Sequence, residues 1–115
     1  MVSGSDFAFT VTVNSGNFLL DGQTKPAITL YRGFTYTFDV SDSSNNGHPL
    51  RFKDGDDTSY TTGVTATGTA GNAGATVTLV VASDAPSVLK YYCTVHGHGM
   101  GNTIAVSYTH LTLPT

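Results

Sequence analysis

Within "YYCTVHGHGM", residues 91 to 100, the chain concentrates its only cysteine, two of its four histidines and one of its two methionines. Cys93, His96 and Met100 follow the spacing C-x2-H-x3-M, in a run that also holds Gly97, Gly99 and Gly101. A soft thiolate, a neutral imidazole and a weak thioether are donors that copper accepts. A trigonal copper site of this kind takes a second histidine from elsewhere in the fold. His48, in "NNGHPLRF", is the candidate: it follows a turn-forming cluster and begins a strand, with Pro49 behind it to stiffen the position.

Each of these residues also has a plainer reading. A single cysteine cannot form an internal disulfide, and Cys93 alone reads as a small buried apolar residue. Met100 reads as core filler in a turn, and His48 as a turn histidine bonding nearby carbonyls. His98 is an exposed loop histidine, or a replacement for His96 at C-x4-H spacing. What favours metal is the four residue types falling on one template. "KDGDD", residues 53 to 57, hints at calcium but lacks the alternating oxygen ligands and terminal Glu of an EF-hand loop, so it reads as a solvated turn. "SDSSNNG" is likewise a turn, in which Asn45 or Asn46 is placed to steady the His48 loop.

The elements that must position these groups are strands. Period-2 alternation recurs and no sustained 3.6-residue period competes with it. "FAFTVTV" sets Phe7, Phe9, Val11 and Val13 on one face, and "FTYTFDVSD" does the same for Phe34, Tyr36, Phe38 and Val40. "NFLLDG", "AITLYRG", "HPLRF", "ATVTLVVA", "VLKYYCT" and "NTIAVSY" complete the set, with turn signals between them. The stretch from Lys53 to Gly74 is Gly-, Thr- and Asp-rich and reads as loop with one short strand near Tyr60 to Val64. About eight short strands predict an all-β fold, an antiparallel Greek-key β-sandwich or barrel. Its expected core is Phe7, Phe9, Phe34, Tyr36, Phe38, Leu79, Val81, Tyr92 and Ile104. In such a sandwich strands about 45 residues apart in sequence can be neighbours at one end, which would bring His48 and Cys93 to the same pole.

Composition removes other classes. With 115 residues there is room for one domain. Charged residues are 11% of the chain, against about 25% in an average soluble domain. A net charge of −3, with Lys and Arg scattered along the sequence, leaves no footprint for nucleic acid. No apolar run approaches the roughly 18 residues needed to span a bilayer, and no signal peptide is visible at the start. The end, "SYTHLTLPT", offers no further turn or partner-ready strand. Residues 1–107 are therefore expected to form the domain and residues 108–115, with His110, a non-native or disordered tail.

"ITLYRGFTYTFDVSD", "GHPLRF" and "YYCTVHGHGMGN" together resemble the cupredoxins, the blue-copper family of plastocyanin and azurin. A more specific similarity is to cupredoxin-like modules of marine phage and bacterial surface proteins, and it covers roughly Phe7 to Val106. The resemblance implies one copper ion cycling between Cu(I) and Cu(II). His48 and His96 would be its imidazole ligands, Cys93 its thiolate and Met100 its axial thioether. The loop departs from the pattern: its H-x3-M spacing is closer to azurin's, while azurin's Cys-to-His gap is longer. The implied function is one-electron transfer at the edge of His96, to a redox protein partner or to neighbouring domains of a larger chain. An extracellular, periplasmic or virion-associated setting is favoured. Copper enzymes are not implied, because a multicopper oxidase needs further histidines and a dinuclear copper site needs two cysteines. The competing expectation is a structural or recognition module of a phage or cell-surface protein, with copper a stabilising clip or absent.

Overall fold

Alternation decides which residues of each strand face inward, and the burial of the strands follows it. The computed structural model describes residues 6–108, apart from the side chains of Asp6 and His98. Ten strands are formed: β1 (Asp6–Asn14), β2 (Asn17–Leu20), β3 (Gln23–Thr24), β4 (Ile28–Tyr31), β5 (Thr35–Asp39), β6 (Leu50–Asp54), β7 (Val64–Thr67), β8 (Thr76–Val80), β9 (Val88–Cys93) and β10 (Thr103–Ser107). Two single-turn 3-10 helices, Ser43–Asn45 and His98–Met100, lie in the loops before β6 and before β10. The strands make two sheets, ordered β3-β2-β1-β5-β8-β7 and β4-β10-β9-β6. The chain passes between the sheets at β3–β4, β4–β5, β5–β6, β6–β7 and β8–β9. This is the Greek-key sandwich that the strand pattern predicts, of the cupredoxin-like kind that the resemblance implies.

Two of the pairings are parallel, β1 with β5 and β10 with β4, so the sandwich is mixed rather than purely antiparallel. The strand expected near Tyr60 to Val64 starts at Val64 and runs to Thr67, where its backbone pairs with β8.

Between the sheets lie Val11, Phe18, Leu30, Phe38, Leu50, Phe52, Leu79, Leu89, Tyr91 and Ile104, each with essentially no exposed surface. Each large side chain so buried contributes roughly 1.5–3 kcal/mol. Tyr36, Phe38, Leu79, Val81 and Ile104 are buried as expected, while Phe9 and Phe34 are partly buried against the core. Two expectations fail. Phe7 is 44% exposed, stacked on Phe34 and Tyr36 where β1 begins. Tyr92 is only half-buried, because Leu89, Tyr91 and Cys93 are the inward set of β9 and Tyr92 belongs to the other face. Of the expected tail, Tyr108 is exposed and carries the Arg32 guanidinium over its ring, 4.7 Å from the centroid. Residues 109–115, His110 among them, lie outside the described residues.

Candidate metal centre

β6 and β9 are antiparallel neighbours, and their register places Leu50 opposite Cys93. His48 stands two residues before Leu50, so the same pairing carries its ring to the pole where β9 ends on Cys93. The Thr94 N–H donates to the Pro49 carbonyl (3.1 Å) and fastens the two segments together. Proline, with no N–H of its own, enters this contact only as an acceptor.

The His48 loop is built inward from its cap. Asp42 caps the helix Ser43–Asn45 by accepting from the Ser44 N–H (3.0 Å) and the Ser44 hydroxyl. These two bonds, the hydroxyl first, lower the Asp42 pKa. Ser44 Oγ in turn accepts from the Val13 N–H at 2.9 Å. Asn45 is fully buried and donates from Nδ2 to the carbonyls of Val11 (2.8 Å) and Asp42 (3.2 Å). Of the two asparagines singled out by sequence, it is Asn45 that fixes the loop. The His48 N–H closes the turn onto the Asn45 carbonyl at 2.8 Å.

The second loop closes on itself. The Gly97 N–H donates to the Cys93 carbonyl (2.7 Å) and the Cys93 N–H to the Gly97 carbonyl (3.2 Å), which leaves Thr94, Val95 and His96 as a tight arch. Met100 ends the helix His98–Met100 and is 3% exposed, a member of the central core. Two supports come from outside: Lys25 Nζ donates to the Gly99 carbonyl (3.1 Å), and Asn102 Nδ2 donates to the Lys25 carbonyl (2.9 Å). Neither Lys25 nor Asn102 carries a signal in the sequence that would single it out.

The result is a three-donor cluster. Cys93 Sγ is 3.8 Å from His48 Nδ1 and 3.6 Å from His96 Nδ1, and all three donor atoms lie within 4.8 Å of one another. The two imidazole rings are 4.7 Å apart and inclined by 35°. Metal–nitrogen bonds of about 2.0–2.1 Å and a metal–sulfur bond of about 2.3 Å, opened by a tetrahedral to trigonal angle, require S···N separations of about 3.6–3.8 Å. The two S···N separations already match that spacing, and closing a metal site asks only that the two imidazoles draw together. Exposure is graded across them: Cys93 is buried, His48 half-buried and His96 exposed. Nδ1 is the ring nitrogen turned to the sulfur in both histidines, and His96 is the exposed one of the pair. Of the four residues predicted from sequence, the fold brings His48, Cys93 and His96 together and places Met100 in the buried layer of the same loop.

No protein-family model matches the chain, and no curated protein matches it. Solved structures do. Rusticyanin from Thiobacillus ferrooxidans is 21% identical, with a TM-score of 0.54 over 90% of this chain and 79% of that one. Reduced rusticyanin matches at 20% identity and a TM-score of 0.54, over 90% and 81% of the two chains. A methionine-to-glutamine variant of rusticyanin matches at 19% identity and 0.53, over 90% and 79%. At such identities the likeness is one of fold, and it supports the cupredoxin resemblance rather than the finer one to surface-protein modules.

Proposed function

We propose that this domain binds one copper ion through His48, Cys93, His96 and Met100 and exchanges one electron at a time by cycling between Cu(I) and Cu(II). The observation that carries the reading is the pair of S···N separations, 3.8 and 3.6 Å, at one thiol. Two histidines and a cysteine with a weak axial methionine are the donor set of blue-copper electron-transfer sites. When bound, copper would supply the redox change, and the protein supplies a thiol with an imidazole on either side of it.

Both loops are tied to the sandwich by backbone hydrogen bonds, so little has to move when the charge at the site changes. Burial of Cys93 keeps water from the sulfur and lets the surrounding apolar packing set the potential. The exposed edge of His96 is the port. Val95 beside it is 64% exposed, and the arch carries no charged side chain, so a partner docks there with little desolvation cost. Redox encounters of this kind use small interfaces and short lifetimes.

Titration of the metal-free domain with stoichiometric Cu(II) tests this. An intense thiolate-to-copper charge-transfer band is expected, absent from Cys93→Ser, together with a reversible one-electron wave. Met100→Leu should keep the band and move the potential if the thioether is axial. A colourless titration, or colour unchanged in Cys93→Ser, would refute the site. Colour without a reversible wave would leave copper as a static clip and refute electron transfer.

A further inference from the structure

The strands gather charges that the sequence scatters. The chain has five basic residues, and three of them, Arg51, Lys53 and Lys90, fall at outward positions of the adjacent strands β6 and β9. Lys53 is paired across the ladder with Lys90, and Arg51 with Tyr92. Like charges set opposite each other oppose sheet formation unless something offsets them. Part of the offset is visible: Lys53 Nζ lies 4.5 Å from the centroid of the Tyr92 ring, and Lys90 pairs with Asp57 at 2.8 Å. Arg51 donates from Nη1 to the Leu50 carbonyl (2.7 Å), which uses one of five guanidinium N–H groups and leaves the rest of the fork for another acceptor. Arg51 and Lys53 have no carboxylate partner among the described residues.

The face is polarised along its length. Asp54 and Asp56 sit at the turn away from the metal centre, where Asp54 Oδ1 accepts the N–H groups of Asp56 and Thr58. Arg51 sits at the other end, one residue past the Leu50 that faces Cys93. Beside it is a concavity of about 260 Å³, lined by Arg51, Tyr60, Val64, Tyr92 and Thr94 among others. Its walls are a cation, hydroxyls and apolar surface. Tyr92 and Thr94 are also the residues on either side of Cys93 in the chain.

We propose that the outward face of β6 and β9 is a docking surface for an acidic protein, oriented so that a carboxylate of the partner enters the concavity beside Arg51 while Lys53 faces the same acidic patch. The argument is charge complementarity: on a chain of net charge −3, Arg51 and Lys53 stand on one face of β6 without a carboxylate partner among the described residues, while Lys90 is taken up by Asp57 and Asp54 and Asp56 lie at the far end of the face. The inference deepens the electron-transfer reading by naming the kind of partner, yet the surface itself does not need the metal.

The test therefore uses a redox-inert probe on metal-free and copper-loaded protein alike. Hexacyanochromate(III), a paramagnetic trivalent anion, is titrated into the isotope-labelled full chain, and hexaglutamate peptide is titrated in parallel. Broadening by the anion should centre on residues 51, 53, 92 and 94, and the peptide should shift the same amide resonances. Peptide affinity should fall at least about tenfold between about 10 and 200 mM salt. Arg51→Gln/Lys53→Gln should abolish both effects and leave the rest of the spectrum in place; Arg51→Glu/Lys53→Glu should reverse the preference toward a cationic probe. Broadening centred near Lys25 or Arg32, broadening that survives both double variants, or tighter binding of a single-stranded oligonucleotide than of the peptide would overturn the proposal. Loss of copper colour with intact anion binding would strike the proposed function and leave this surface standing; the reverse pattern would do the opposite.

Discussion

The arch that delivers Cys93 and His96 closes on itself through the paired Cys93–Gly97 hydrogen bonds, with Pro49 and Lys25 only bracing it from outside, whereas the loop that delivers His48 takes its main supports from distant parts of the chain. Its Ser44 hydroxyl is fastened to Val13, its buried Asn45 to Val11, and Asn46 rests against Gly71, twenty-five positions on. A self-closing loop keeps its geometry as long as its two strand ends hold. A loop held from outside keeps its geometry only as long as the sandwich does. Two of the three clustered donors thus ride on local structure and one on tertiary structure, and the metal centre is where the two must agree.

The largest expected effect breaks the self-closing loop at its root. Gly101 is buried, and a Cβ there would overlap the Tyr91 carbonyl oxygen and lie 2.7 Å from its carbonyl carbon and 2.8 Å from the ring carbon Cδ2. Backbone cannot step aside as a flexible side chain can. Gly101→Ala should therefore destabilise the metal-free domain by about 4 kcal/mol or more, measured by urea unfolding. A loss under about 1 kcal/mol would show that the loop root yields.

Next comes the externally held loop. At Gly71 the backbone has φ +92°, and a Cβ would lie 2.7 Å from both the Asn46 N and Cα. Gly71→Ala should lose about 2–4 kcal/mol from left-handed strain plus overpacking. Gly47→Ala meets open space at φ +80° and should lose only about 1–2 kcal/mol. Copper affinity should fall more for the Gly71 variant, by about 10–100-fold, since it displaces the support of a donor. Equal losses of affinity in the two variants would mean that outside contacts do not position His48. Asn45→Ala follows: leaving the Val11 and Asp42 carbonyls without their donor should cost about 1–3 kcal/mol and lower copper affinity in the same direction.

How far the sequence is legible tracks this same division. Cys93, His96 and Met100 are readable because donors on one short loop leave a fixed spacing, and His48 because Gly47 and Pro49 punctuate a strand start. Gly71 and Lys25 are not readable. Their work is done against backbone brought to them by the fold, and neither Asn46 nor Gly99 marks them in advance. The phase of β9 was within reach: once Cys93 is inward, alternation forces Tyr91 and Leu89 inward and Tyr92 outward, which aromatic content alone does not reveal. Phe7 misleads for another reason. It has the right phase but stands at the start of β1, where the opposite sheet no longer covers it. The two parallel pairings stay hidden because alternation records which face is buried and not which neighbour runs alongside. The basic face of β6 and β9 is hidden by the same token, since its residues come from strands about forty positions apart.

The smallest effect separates the two loops by pH. Tyr91, in the strand that carries Cys93, is fully buried and donates its hydroxyl to the Pro26 carbonyl at 2.6 Å. Burial raises its pKa, so the folded state holds the phenolic proton at pH values where the unfolded chain, near its ordinary value of about 10, has released it. Tyr36 and Tyr60 are raised too, chiefly by burial. The contribution of a raised group is fully present below the unfolded pKa and is lost as pH climbs from there toward the folded value. On the alkaline side stability should thus be level up to about pH 10 and decline above it. Tyr91→Phe should lose about 1 kcal/mol at neutral pH with its hydrogen bond, and should decline less steeply above pH 10, by about 1.4 kcal/mol per pH unit. At the acid end the sign reverses and the other loop responds: Asp42, lowered by its bonds to Ser44, supports the His48 turn above the ordinary carboxylate pKa and ceases to as pH falls through its own. Urea unfolding from pH 3 to 11.5 checks both limbs. Parallel alkaline curves for the wild type and Tyr91→Phe would show that the phenol of the strand behind Cys93 is not the group that titrates.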